Sequence, residues 1–271
     1  MKQNSETPKK EKETTPSFTI KGSSNVSESY FREESKNCVE KKSVYPDYHA
    51  DLRKQKSNTK SKKIAIYGGS FDPPTISHMV LACEIYNSFE HIDEVWIVPC
   101  GDGRKDKSLR CNAIHRINML ELIKQDLVYV DLPVFIDRTE YKNKQYMPTY
   151  DLLRKLQGDY PNYTFSFCLG SDLLKGLPKW EYGTNIINEF ELIVLCRPGY
   201  KIEGVSFIDK CKVLETNYEN SSTQVRQRIE SVLEKKHKVH LGISGLTSRS
   251  VLRYIYENGL YMVESSCEEH I

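Results

Sequence analysis

The run Gly68-Gly69-Ser70-Phe71-Asp72-Pro73-Pro74-Thr75-Ile76-Ser77-His78 joins two glycines to a histidine across a turn. Gly68 and Gly69 have no side chains, so a ligand can come close to the backbone there. A helix is expected to open near His78, and the unpaired N–H groups of its first turn can face an anion. Far along the chain, Ser221-Ser222-Thr223-Gln224-Val225-Arg226 opens a second helix, with Ser222 suited to capping and Arg226 one turn in, within reach of an anion at that terminus. A third basic feature is the loop Arg104-Lys105-Asp106-Lys107. Neither an evident nucleophile nor a pair of carboxylates accompanies these groups. The chemistry they suit is holding and positioning phosphates.

Two familiar phosphate loops are excluded. Gly-x-Gly-x-x-Gly is absent, and no Gly-Lys-Ser/Thr follows the glycines. A net charge of +2 gives no reason to expect nucleic acid or an anionic membrane as partner. The eight cysteines are scattered, form no Cys-x-x-Cys pair and mostly lie in apolar runs, which reads as reduced buried thiols rather than zinc ligands or disulfides. No apolar stretch approaches the roughly 20 residues of a membrane span, and the polar N-terminus lacks the apolar core of a secretory signal. The expected compartment is the cytoplasm or the nucleus.

The elements that must position these groups begin at Lys62. Residues 1–61 are rich in Lys, Glu, Ser, Asn and Thr, and read as a disordered polar extension. From 62 to 265 strand-like and helix-like stretches alternate. Strands are expected at Lys63–Tyr67, Glu94–Pro99, Val128–Ile136 (broken, or at an edge, because of Pro133), Tyr163–Leu169, Phe190–Cys196 and Lys212–Thr216. Helices are expected at His78–Phe89, Asn112–Lys124, Tyr150–Leu156, Thr223–Lys236 and Thr247–Asn258. Such alternation predicts an α/β fold: a doubly wound parallel sheet, Rossmann-like, closed by C-terminal helices. Ligands of such sheets bind beyond the carboxyl ends of the strands, where Gly68 and Gly69 stand.

The first string resembles the G-[ST]-F-D-P-x-H-x-G-H signature of the nucleotidyltransferase superfamily, with Thr75 for its first His and Ser77 for its Gly. The second resembles that superfamily's I-S-S-T-x-[IV]-R motif, with Asn220 for Ile. Between them, Gly170-Ser171-Asp172 running to Leu177-Pro178-Lys179-Trp180, and Arg197-Pro198-Gly199-Tyr200, resemble segments of bacterial-type nicotinate mononucleotide adenylyltransferases. Val251–Tyr261 is similar to their closing helix, so the resemblance spans about Lys62 to Val263.

That resemblance implies transfer of AMP from ATP to nicotinate mononucleotide, a step of NAD biosynthesis, with pyrophosphate released. It implies ATP contacts from Gly68, Gly69, Ser70, Phe71, Ser77, Gly170, Asp172, Ser222 and Thr223, and phosphate or transition-state contacts from His78, Thr75, Lys105 and Arg226. Thr149, Trp180 and Arg197 would face the mononucleotide, with Trp180 stacked on the pyridine ring. Trp96, inside an apolar strand, reads as core. Leu152 replaces a family Thr beside the pyridine, which leaves nicotinamide mononucleotide as the alternative acceptor. Mg²⁺ is expected on the ATP phosphates, with no dedicated protein metal site. ATP and the mononucleotide are the expected partners, without nucleic acid or membrane, and a homodimer is the expected assembly.

Overall fold

The computed structural model describes residues 45–47, 60–104, 108–143, 145–200, 202–218, 221–234 and 243–262, with the side chains of 232–234 left out. Six strands form one parallel sheet: β1 Lys62–Gly69, β2 Glu94–Pro99, β3 Val134–Ile136, β4 Tyr163–Gly170, β5 Glu191–Leu195 and β6 Cys211–Leu214. The helices in chain order are α1 Ile76–Ser88, α2 Ala113–Leu127, α3 Thr139–Lys142, α4 Thr149–Asp159, α5 Ser171–Leu174, α6 Gly183–Glu189, α7 Ser222–Glu234 and α8 Arg249–Glu257. The spatial order is β3-β2-β1-β4-β5-β6, the doubly wound arrangement the alternation predicts.

Alternate residues of each strand feed two separate cores. Ala65, Tyr67, Val95, Ile97 and Ile193 pack on one face with Met79 and Ile85 of α1, Met119 and Ile123 of α2, Val225 of α7, and Val251 and Ile255 of α8. Ile64, Ile66, Trp96, Val98, Phe165, Phe167 and Val194 pack on the other face with Leu152, Leu153 and Leu156 of α4 and Ile186 of α6. Burial on both faces is why these strands read as continuous apolar runs. Trp96 is core, as expected: it is fully buried, and its indole N–H donates to Glu94 Oε2 at 2.8 Å.

Of the strand expected at Val128–Ile136 only Val134–Ile136 forms, at the edge of the sheet just after Pro133. β3 pairs only with β2 and is three residues long, while the Pro133 carbonyl accepts from Val95 N–H at 2.9 Å. The three shortest helices, α3, α5 and α6, were not legible, because four to seven residues are too few to show a period.

The extension over residues 1–61 is not wholly without attachment. Arg138, nearly buried beyond β3, donates to the carbonyls of Tyr45 and Pro46 at 3.0 and 3.3 Å and to Glu121 Oε1 at 3.0 Å, and Lys142 pairs with Asp47. Composition could not foresee this, because two of the acceptors are main-chain oxygens and every partner lies far away in sequence. No helix among the described residues is long and apolar enough to cross a membrane.

Candidate active site

The strand order reverses between β1 and β4, and both strands end there in glycine, Gly69 and Gly170. A crevice opens at such a reversal because the connections leave in opposite directions. At Gly69 a Cβ would lie 2.8 Å from Cζ of Phe71, whose ring folds back from a backbone held at φ +50°. That buried ring meets Tyr67 and His78 edge to face, with centroids 5.5 and 5.0 Å away. Gly69 is therefore needed for Phe71 to buttress His78.

Thr75 is the N-cap of α1 and His78 its third residue, so each reaches the other across one turn. Thr75 N–H donates to His78 Nδ1 at 2.9 Å, and Thr75 Oγ1 lies 2.8 Å from the same nitrogen. With Nδ1 accepting, the ring proton sits on Nε2. Burial, and then the Arg197 guanidinium, push the His78 pKa down to about 3. His78 is thus a neutral donor in a fixed tautomer. Ser77, standing where the family motif has glycine, is buried in the same turn.

The second motif lies directly on the first. Ser222 Oγ donates to the Pro73 carbonyl at 2.7 Å, and Arg226 Nη1 donates to the Asp72 carbonyl, across 149 and 154 residues of sequence. Arg226 Nη2 also donates to Thr223 Oγ1 at 3.1 Å. The capping role anticipated for Ser222 belongs instead to its neighbour. Ser221 Oγ accepts from Gln224 N–H and Gln224 Oε1 accepts from Ser221 N–H, both at 3.2 Å, which is a capping box. Capping by Ser221 leaves the Ser222 hydroxyl to join the two motifs.

On the β4 side, Asp172 Oδ2 accepts from Arg197 Nη1 at 3.3 Å, while Oδ1 is buried without a partner. Gly170 occupies the cap position of α5, and Asp172 is the second residue of that helix. A Cβ at Gly170 would lie 2.3 Å from that same Oδ1 and 3.2 Å from Arg197 Nε, so this glycine makes room for the pair. Arg197 N–H donates to Ser171 Oγ at 2.9 Å, which fixes the end of β5 against the start of α5.

Trp180 follows the turn Leu177–Lys179 and meets Phe167 edge to face at 6.4 Å. Phe167 in turn lies 3.6 Å from where a Gly68 Cβ would stand, so Trp180 belongs to the same end of the sheet. Thr149 opens α4, and Leu152, one turn on, is buried in the core beneath it. Lys105 lies outside the described residues.

Three contributors were given no role by the sequence: Arg116, and Asp72 and Tyr261, which stand in quoted motifs without one. Arg116 of α2 is fully buried. Asp72, also buried, accepts from Arg110 N–H and from Tyr261 Oη, both at 2.8 Å. Tyr261 carries the C-terminal segment back to the phosphate turn, with its phenol pKa pushed upward chiefly by burial. None of the three stands in a periodic pattern; each is explained only by partners far away in sequence.

A doubly wound sheet with a glycine turn, a helix-opening histidine and a Ser-Thr-Arg helix start at its reversal defines a phosphate-binding α/β protein of the nucleotidyltransferase class. Residues 66–228 match the cytidylyltransferase-like family, and the chain belongs to it. Within it, the chain groups with the nicotinate-nucleotide adenylyltransferases. It is 32% identical over 202 residues to the nicotinate-nucleotide adenylyltransferase of Bacillus subtilis, covering 74% of this chain and 98% of that one. Nicotinic acid mononucleotide adenylyltransferase of Plasmodium falciparum, solved with NaAD, superposes with a TM-score of 0.61 at 32% identity, covering 74% of this chain and 97% of that one. The same Plasmodium enzyme solved with APC gives 0.59 at 30% identity over the same shares.

Proposed function

We propose that this enzyme transfers AMP from ATP to nicotinate mononucleotide, forming nicotinate adenine dinucleotide and pyrophosphate in NAD biosynthesis. The observation that carries the reading is the joining of the His78 turn to the start of α7 by Ser222 and Arg226 at the β1/β4 reversal. That junction makes one phosphate-binding surface from both ends of the domain. The kinship with nicotinate-nucleotide adenylyltransferases supplies the acceptor.

In the reaction an oxygen of the mononucleotide 5′-phosphate attacks the α-phosphorus of ATP. The bond from that phosphorus to the α,β-bridging oxygen breaks, and pyrophosphate leaves. The attacking group is already an anion, so no general base is required, and the protein's work is alignment and charge stabilisation. His78 Nε2–H donates to an α- or β-phosphate oxygen, Thr75 holds that ring, and Arg226 meets the charge gathering on pyrophosphate. The main-chain N–H groups at the starts of α1 and α7 add oriented dipoles.

Gly68, Gly69, Ser70, Phe71 and Ser77 shape the wall on which ATP lies, with Gly170, Asp172, Ser222 and Thr223 opposite. The free Oδ1 of Asp172 is suited to accept a hydrogen bond from a ribose hydroxyl or the adenine amino group. Trp180, Thr149 and Arg197 are assigned to the mononucleotide, and Lys105 to its phosphate. Among the described residues no cluster of carboxylates, histidines or thiols forms a metal cage. The donors at the crevice, a neutral histidine, hydroxyls and arginines, fit a Mg²⁺ held by ATP oxygens and water, which would neutralise phosphate charge. A homodimer working in the cytoplasm is the proposed setting.

Leucine at position 152, where the family pattern has a threonine, keeps nicotinamide mononucleotide as the second reading. Pyrophosphate release with ATP and each mononucleotide separates the two. At least tenfold higher kcat/KM for the acid supports the proposal, and the reverse ratio overturns it.

A further inference from the structure

Arg116 is a charged side chain with no exposed surface, and its hydrogen bonds lead to the turn after β1 and to the segments on either side of the following loop. Its Nη1 donates to the Ser70 carbonyl in the phosphate turn at 2.8 Å. Its Nη2 donates to the Cys100 carbonyl just beyond β2 at 2.6 Å and to Asp102 Oδ1 at 3.1 Å. Its Nε donates to the Cys111 carbonyl, two residues before α2, at 3.0 Å. Asp102 Oδ1 also accepts from Ala113 N–H at 2.7 Å, which fixes the acid against the first residue of α2.

One guanidinium therefore clamps both ends of the 100–111 loop to the turn after β1. Between those ends lies a cavity of about 320 Å³, walled by Asp102, Arg104, Ser108, Arg110 and Asn112. Arg110 N–H ties the same loop to Asp72, so turn and loop are joined twice. Only arginine offers several donors in one rigid plane; a lysine ammonium radiates from a point and cannot reach three carbonyls and a carboxylate together.

We propose that Arg116 is a positioning residue that holds the turn assigned to the ATP phosphates against Cys100, Asp102 and Cys111, and so sets how closely the two reacting phosphates can align. The inference rests on the proposed function, because it needs two phosphates to be brought together. In-line transfer demands that the reacting atoms approach to about 3–3.5 Å, and a misplacement of about 1 Å can cost about a hundredfold in rate. Arg116 touches neither substrate, so its loss should act on kcat rather than on the affinity for either one.

The test compares wild type with Arg116→Lys. The expected result is kcat lowered at least tenfold, with dissociation constants for a non-hydrolysable ATP analogue and for nicotinate mononucleotide, each alone, within threefold of wild type. A folded variant with kcat within twofold of wild type overturns the proposal, as does a loss confined to the two dissociation constants. If Arg116→Lys does not fold, Asp102→Asn serves, because that half-exposed acid keeps an acceptor for Ala113 while losing its charge toward Arg116. It should lower kcat at least threefold with affinities unchanged, and an unchanged kcat overturns the proposal.

Amide exchange supplies an arm that needs no turnover. The ATP analogue should slow exchange at residues 100–104 and 108–112 in wild type but not in Arg116→Lys, and equal slowing in both contradicts the clamp. Wild type that shows this coupling yet releases no pyrophosphate with either mononucleotide would defeat the proposed function alone.

Discussion

A histidine held by Nδ1 behaves differently from one on an open surface, and His78 carries most of the site's testable chemistry. Its folded pKa, near 3, lies below the ordinary 6.5. Between those values the unfolded chain binds the extra proton, so this group destabilises the fold as pH falls below about 6.5 and is neutral in its effect above that. The ring should stay in the neutral Nε2–H form down to about pH 4 in the ligand-free protein. Ring nitrogen chemical shifts followed through a pH titration check this, and a midpoint above 6 would refute it. His78→Ala, which removes the donor, should lower kcat about a hundredfold or more. The sequence singled this residue out because it closes the string that resembles the superfamily signature; its pairing with Thr75 was visible only in the fold. Arg116 was not singled out: a lone arginine in a helix reads as a solvated face, and carbonyl acceptors leave no mark on the residue types around them.

At the level of elements, the start of α7 divides its hydroxyls between two tasks. Ser221→Ala removes the cap and should cost about 1 kcal/mol of stability, read by denaturant melts, with little change in KM for ATP. Ser222→Ala frees the helix start from the Pro73 carbonyl and should instead raise KM for ATP several-fold with stability nearly unchanged. Equal effects on both quantities in the two variants would contradict this division. The motif spacing revealed that a helix opens here and that Arg226 belongs to it. It could not show which serine caps, because either can do so and only the turn at Asp72–Pro74 selects between them. The strands were legible from their apolar runs, and the short helices that turn the chain at strand ends were not.

For the molecule as a whole, alternation of strand and helix was enough to predict a parallel doubly wound sheet. It could not give the strand order that places Gly69 beside Gly170. Nor could composition disclose that Tyr45–Asp47, within a polar extension, is tied to Arg138 and Lys142. Removing residues 1–48 deprives the nearly buried Arg138 of two carbonyl acceptors. The expected loss is about 1–3 kcal/mol. For a domain of this size that lowers Tm by about 2–4 °C per kcal/mol. Thermal melts of full-length and shortened chains decide it, and identical midpoints would show the strap to be without weight.

The proposed activity is AMP transfer between two phosphates aligned at the β1/β4 reversal. Its most direct test supplies ATP labelled at the α-phosphorus together with nicotinate mononucleotide and follows where the label goes. Label is expected to enter nicotinate adenine dinucleotide in step with unlabelled pyrophosphate, and His78→Ala and Arg226→Ala should suppress both. Label released as free AMP, or left in ATP while nicotinate mononucleotide is present, would contradict the proposed transfer.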